Sequence, residues 1–156
     1  MPNSQVDQTA VSAALDLVLT SSVMTLGTAG EKGPWTAPVY YLYDNQGFYF
    51  FSDPQSRHIK AGQNRTCAAA IFRDDPDVRN LRGLQMTGTL SPCPVNLESA
   101  GIALAYGKRF KLEVDAGNVL AYFRQAFHAA LYLFRPACIY YMDNRSGFGN
   151  RTQICL

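Results

Sequence analysis

The residues best suited to chemistry lie at positions 52–58, directly after an aromatic run, and include two hydroxyls, a guanidinium and an imidazole. Asp53 followed by Pro54 predicts a helix start, with Asp53 as the N-cap and Pro54 in the first helical position. A helix N-terminus attracts anions through its free N–H groups and its dipole. Ser56 and Arg57 would add donors that match phosphate oxygens. The segment therefore predicts a phosphate site; the alternative is a capped helix whose Arg57 is solvated.

The sequence does not indicate a hydrolytic or a metal site. It shows no Ser-His-Asp order and no paired carboxylates that would suit hydrolysis. Its cysteines are far apart, with no C-x-x-C pair, and its only histidines are His58 and His128, so we predict no metal site. We expect four free, mostly buried thiols, as in a reducing compartment. The cysteines are Cys67, Cys93, Cys138 and Cys155.

Length and composition indicate a single domain over residues 1–156, with residues 1–5 and the last few loose. The chain is 47% hydrophobic and 17% charged, which excludes disorder. Fourteen basic against 12 acidic residues give a net charge of +2, so no nucleic-acid partner is expected. No basic residue precedes Lys32 and no apolar run is long enough to span a bilayer. We therefore expect a cytoplasmic protein with no membrane contact.

Hydrophobic periodicity and turn signals predict a small antiparallel barrel flanked by helices. An amphipathic helix capped by Asp7 opens the chain, and short turns then join three strands, the second of which contains Pro38. Local connections between strands of this kind favour an antiparallel barrel. The predicted strands cover 21–30, 34–43, 48–52, 66–73, 81–90, 131–135 and 139–142, and the predicted helices cover 7–20, 53–62, 96–106 and 115–128.

The order of several short motifs is characteristic, although no single motif is. They are V-M-T-L-G-T at 23–28, P-V-Y-Y at 38–41, F-F-S-D-P-Q-S-R-H at 50–58, a strand bearing Gly88, and L-F-R-P-A-C-I-Y-Y-M-D at 133–143. Over residues 8–145 this order resembles the FMN-binding split-barrel superfamily, the group of pyridoxamine 5′-phosphate oxidase. Arg109-Phe110 and N-R-S-G-F-G at 144–149 are similar to its small YhbP-like bacterial branch.

This resemblance implies a mainly β protein with flanking helices, a six- to seven-stranded antiparallel split β-barrel. It implies a homodimer with FMN at the subunit interface. By the same resemblance, Ser52, Ser56 and Arg57 would hold phosphate and ribityl oxygens. His58 stands where the superfamily usually has Lys. Because an imidazole is only partly charged at pH 7, phosphate affinity is expected to be lower or pH-dependent.

The resemblance also places the flavin ring along the second strand. There the ring would meet backbone groups of Ala37, Pro38, Val39 and Tyr40. Gln85 is the only large polar residue on its strand, and it is either a ribityl or pyrimidine contact or an ordinary exposed strand residue.

The favoured function is that of an FMN-dependent oxidoreductase that acts on an undetermined small substrate or electron donor. A true pyridoxamine 5′-phosphate oxidase is not expected, because R-G-L-Q at 82–85 replaces an R-Q-V-R-type strand and the C-terminal Arg-x-His is missing. One alternative is a flavin carrier or sensor without turnover. The other is a haem-binding protein on the same fold, ligated by His58 or His128. K-R-F-K at 108–111 forms either a substrate-anion patch or a solvated helix end.

Overall fold

Antiparallel strands dominate the structure, and helices flank them. The computed structural model describes residues 7–115 and 117–156; the expectation for residues 1–5 lies outside this range. Within it the strands are β1 (Val23–Gly30), β2 (Gly33–Tyr40), β3 (Leu42–Asp44), β4 (Gly47–Ser52), β5 (Thr66–Arg73), β6 (Arg82–Pro92), β7 (Ala130–Asp143) and β8 (Arg151–Ile154). The α-helices are α1 (Gln8–Thr20), α2 (Arg57–Gly62), α3 (Leu97–Arg109) and α4 (Val119–Phe127), with 3-10 turns at Val78–Asn80 and Asn144–Ser146.

The strands form one sheet in the order β2-β1-β5-β6-β7-β4-β3, and β8, which is not part of this order, pairs with β7. All of these strand pairs are antiparallel. The sheet curls into a half-barrel, which confirms the predicted fold class of a mainly β split barrel with flanking helices. The described residues hold eight strands where six or seven were predicted: β3 separates from β2 and β8 was not foreseen, whereas two predicted strands merge into β7.

The concave face of the half-barrel holds the core. Its largest buried side chains are aromatic and come from β4, β7 and the link between β2 and β3: Tyr41, Phe48, Phe50, Tyr132 and Phe134. Helix α1 closes this core with a buried apolar stripe that includes Leu17 and Val18. The Tyr41 hydroxyl donates a 2.6 Å hydrogen bond to the Val18 carbonyl, so the helix is fixed to the sheet by a polar contact as well as by packing.

Helix α1 begins as the sequence predicts. The Asp7 carboxylate accepts hydrogen bonds from the N–H groups of Thr9 and Ala10, each at 3.1 Å. The predicted start of the next helix is wrong, because α2 begins at Arg57 with Ser56 as its N-cap. The Asp53 carboxylate instead accepts from the Gln55 N–H at 2.7 Å and closes a turn before the helix.

Strand β7 is continuous where two strands had been predicted on either side of Pro136. Pro136 lies opposite Gly88 of β6, where the register shifts between Thr87 and Gly88. A proline has no N–H to donate, so an irregularity in the ladder is where a strand tolerates it. A Cβ at Gly88 would meet the Arg135 carbonyl oxygen inside contact distance, so this close crossing requires glycine.

All four cysteines are free, but the expectation that they are mostly buried is wrong: Cys67 is buried, Cys93 and Cys138 are half-buried, and Cys155 is exposed.

None of the helices in the described ranges has both the length and the apolar character that a membrane crossing requires.

Candidate functional site

A cleft of about 500 Å³ opens between β2, the end of β4 and the helices α2, α3 and α4. Five of the residues singled out from the sequence line this cleft. They are Pro38, Val39, Tyr40, Ser52 and His58. Strand β2 is at one end of the sheet order and pairs with β1 alone, so its outer edge presents backbone groups towards the cleft side. The curl of the half-barrel thus brings together residues that are distant in the chain.

Aromatic rings form the walls of the cleft. Phe51 of β4 and Phe123 of α4 stack with their centroids 3.8 Å apart and an interplanar angle of 6°. Tyr106 of α3 meets Phe51 edge-on at 5.1 Å. Phe127 lies one helical turn after Phe123, with 5.7 Å between the centroids. Phe51 and Phe123 cover one face of each other, so a planar, conjugated ring would stack on an outer face of this aromatic cluster.

The sequence did not predict the cleft residues that α3 and α4 contribute. They are Tyr106, Phe123 and Phe127. The one local signal was the pair of phenylalanines four residues apart, which must share a helix face. Their approach to Phe51 is a long-range contact that no local pattern indicates.

A short hydrogen-bonded cluster forms the polar end of the cleft. The Ser52 Oγ lies 2.7 Å from the His58 Nε2 and 3.3 Å from the Ser56 Oγ. The Ser56 hydroxyl donates to the Asp53 carbonyl at 2.7 Å. Burial lowers the pKa of His58 below its ordinary value of 6.5, so the imidazole is neutral at pH 7. The cluster offers hydroxyl and imidazole groups to the oxygens of a ligand without a fixed positive charge.

Arg57 lies apart from this cluster. Its guanidinium donates a 2.9 Å hydrogen bond to the Lys32 carbonyl and is 4.2 Å from the centre of the Trp35 ring. It lines a separate groove on the other side of α2. The structure therefore brings three of the four predicted phosphate ligands together, Ser52, Ser56 and His58, and directs the fourth elsewhere.

The remaining candidates lie outside the polar cluster. Gln85 is exposed on the convex face of the sheet, where its Oε1 accepts a 2.8 Å hydrogen bond from the Arg151 Nε. The Ala37 side chain is buried and points to the inner face of β2, so only its backbone could contact a ligand. His128 is exposed and adopts φ +51° as the residue that ends α4.

Arg109 has a structural contact that accounts for it. Its guanidinium donates to the carbonyls of Leu19 and Ser21, at the C-terminal end of α1. This contact joins α3 to α1 and satisfies carbonyl groups that a helix end leaves unpaired. For Arg109 the structure therefore shows neither the substrate-anion patch nor the solvated helix end, but a contact between two helices.

Comparisons with known proteins show which of them share sequence or fold with this chain. No family model matches the sequence. UPF0306 protein Ent638_3591 of Enterobacter sp. (strain 638) is 27% identical over 132 residues, which cover 83% of this chain and 84% of that protein. Among solved structures, Campylobacter jejuni ChuZ superposes with a TM-score of 0.75 at 16% identity, over 96% of this chain. The match covers 61% of ChuZ, so this chain spans about three fifths of that protein.

Two further solved structures have a similar fold. HutZ, the heme storage protein of Vibrio cholerae, matches with a TM-score of 0.64 and 14% identity, over 80% of this chain and 88% of HutZ. An FAD-binding protein of Mycobacterium smegmatis matches with a TM-score of 0.61 and 12% identity, over 84% of this chain and 93% of its own length. At these identities the likeness establishes a shared split-barrel fold.

Proposed function

We propose that the chain binds a flavin nucleotide, FMN, in the cleft and acts as a flavin-dependent oxidoreductase on a small substrate or electron donor. The observation that carries the proposal is the cleft itself, with stacked aromatic walls at Phe51 and Phe123 and a hydroxyl–imidazole cluster at its end. A flavin has a planar ring that suits the walls and a polar ribityl phosphate that suits the cluster. The residues present therefore fit the cofactor.

Each part of the cleft has a separate role in this proposal. The Tyr106 hydroxyl donates to the Tyr40 carbonyl at 3.3 Å, and the outer edge of β2 offers its remaining backbone groups to the polar edge of the ring. Ser52 and Ser56 offer hydroxyls to ribityl or phosphate oxygens. The bound flavin would supply hydride and electron transfer, and the chain would bind and orient it and keep water from it. An FAD-binding protein with the same fold supports the choice of a flavin.

We also propose that two copies of the chain associate through the convex face of the sheet. A shallow depression of about 420 Å³ lies on β1, β2, β5, β6 and β7, and none of the residues that line it carries a charge. Phe72, 58% exposed on the same face of β5, adds apolar surface. Depletion of charge together with exposed aromatics is typical of the centre of a protein interface. Gln85 lies on this face, where it would contact a flavin shared between subunits.

Haem binding in the same cleft is the second candidate, and His58 is the observation that favours it. A half-buried imidazole whose pKa is lowered stays neutral, and the neutral ring is the form that ligates a metal. The aromatic walls suit a porphyrin as well as a flavin. HutZ, named as a heme storage protein, has the same fold.

One set of spectra separates these candidates. Apo protein is titrated with FMN, riboflavin and haemin at pH 7.5 and followed by flavin fluorescence and by absorbance. The proposal expects FMN fluorescence to be quenched at micromolar concentrations and riboflavin, which lacks the phosphate, to bind much more weakly. A Soret shift that His58→Ala abolishes, with no flavin binding, would select haem. Reduction of bound FMN by NAD(P)H followed by rapid re-oxidation separates an oxidoreductase from a carrier.

A further inference from the structure

A basic groove lies on the opposite side of α2 from the cleft. It runs between the Gly30–Gly33 turn and α2 and encloses about 480 Å³. Four cations and one carboxylate line it, so its formal charge is +3, whereas the whole chain carries +2. The charges of all other residues therefore sum to −1, so the net positive charge of this protein comes from this one groove. The charged residues are Glu31, Lys32, Arg57, Lys60 and Arg65.

The groove cations are not neutralised by the protein itself. In the described ranges, the ion pairs are Arg79 with Asp77 and Arg145 with Asp143, and none of these residues belongs to the groove. The Arg57 guanidinium is already held in place by the Lys32 carbonyl and the Trp35 ring. A held guanidinium loses less freedom when it binds an anion, which favours binding over a mobile surface arginine.

We propose that this groove binds the diphosphate of a nucleotide. Several unpaired cations that surround one concave space suit two adjacent phosphates better than a single carboxylate. The residues outside the groove carry no net positive charge, so a long polyanion is not favoured. Arg57 faces the groove and the consecutive His58 faces the cleft, so the two sites are neighbours across α2.

The diphosphate has two possible sources. It belongs either to a free nucleoside diphosphate or to a dinucleotide flavin whose ring lies in the cleft. The second source rests on the proposed flavin site, and the first does not. FAD differs from FMN by an added adenylate, so a groove that holds its diphosphate would make FAD the tighter ligand.

The experiment uses calorimetric titration with ADP at fixed low salt. Lys60→Ala/Arg65→Ala removes two groove cations, and Lys108→Ala/Arg124→Ala removes two exposed cations elsewhere, so both variants have the same net charge. Exposed charge pairs contribute up to about fivefold each, so the groove variant is expected to bind ADP about tenfold more weakly than wild type. The control variant is expected to stay within about twofold of wild type.

A comparison of the affinities for FAD and FMN distinguishes the two sources of the diphosphate. FAD that binds more tightly than FMN, with the difference lost in the groove variant, supports the dinucleotide source. ADP that binds in the groove while no flavin binds supports a free nucleotide, and the proposed flavin function then fails alone. FMN binding without any ADP binding or FAD preference overturns the groove proposal and leaves the flavin proposal standing. Equal ADP losses in both double variants also overturn it, because net charge would then explain the binding.

Discussion

At the scale of single residues, His58 is the basic group at the polar end of the cleft, where the carboxylate of Asp53 also lines the wall. Burial lowers its pKa below 6.5, and a phosphate ligand would favour the protonated ring. We therefore expect the FMN affinity of the wild type to rise as the pH falls from 8 to 6. His58→Asn, which keeps a neutral donor, should flatten this profile. FMN dissociation constants measured at both pH values and constant salt test it, and an equally steep profile in the variant would assign the pH dependence to another group.

The same residue links stability to pH. A histidine whose pKa is lower in the folded state than in the unfolded state leaves the protein at full stability above the unfolded pKa. The protein loses that stability as the pH falls through the folded pKa. We expect the free energy of unfolding of the ligand-free wild type to decrease below pH 6.5. His58→Asn should show a smaller decrease over the same range. Urea unfolding at pH 7.5 and 5.5 measures both, and identical decreases would show that His58 does not contribute.

Arg57 and His58 are expected to differ in their effect on flavin binding. The Arg57 guanidinium faces the groove and lies apart from the cluster of Ser52, Ser56 and His58. Arg57→Ala should therefore change FMN affinity at pH 8 by no more than about twofold, because it removes no donor from the cluster that is proposed to bind the phosphate. His58→Ala should have the larger effect at that pH, because it removes a hydrogen-bonding group from the cluster. A larger loss of FMN affinity in Arg57→Ala than in His58→Ala would instead place the FMN phosphate on the groove side of α2.

At the scale of secondary structure, the crossing of β6 and β7 depends on one glycine. A Cβ at Gly88 would meet the Arg135 carbonyl and Pro136, both backbone groups that cannot move aside. Gly88→Ala is expected to destabilise the protein by about 1–3 kcal/mol. Gly101 of α3 is exposed with nothing within 4 Å of an added Cβ, so Gly101→Ala serves as a control and should stabilise by up to about 1 kcal/mol. Denaturant midpoints provide the comparison; unchanged stability in Gly88→Ala would mean that the bulge relaxes.

The elements that the sequence predicted well are those that local chemistry specifies. The Asp7 cap, the apolar stripe of α1 and the alternation along β6 each depend on neighbouring residues, and the structure has all three. The start of α2 was wrong because Asp53 uses its carboxylate in a turn, a competition that Asp-Pro alone does not resolve. The cleft walls were not predicted, because Phe51 and Phe123 meet only after the sheet has curled and α4 has packed against it.

At the scale of the whole molecule, the positive groove, the aromatic cleft and the uncharged sheet face lie on different surfaces. Helix α2 separates the first two, and β2 contributes residues to both the cleft and the sheet face. A ligand in the cleft therefore lies next to any subunit that packs on the sheet face. This arrangement predicts that association of subunits and flavin binding are coupled.

Placing a charge on the sheet face tests that coupling. Ala68 is exposed in the centre of β5 and lies between Gly27 and Thr87 on the neighbouring strands, so Ala68→Arg adds a charge where none exists. An unpaired charge in the centre of an interface is costly, so this variant should sediment as a monomer while the wild type sediments as a dimer. Val95→Arg places the same charge on a loop residue that is 82% exposed and should remain dimeric. If the flavin lies between subunits, Ala68→Arg should also lose FMN affinity. A wild type that is monomeric at tens of micromolar with flavin bound would contradict both the dimer and the shared site, and a monomeric Ala68→Arg with full FMN affinity would retain the dimer but place the flavin wholly within one chain.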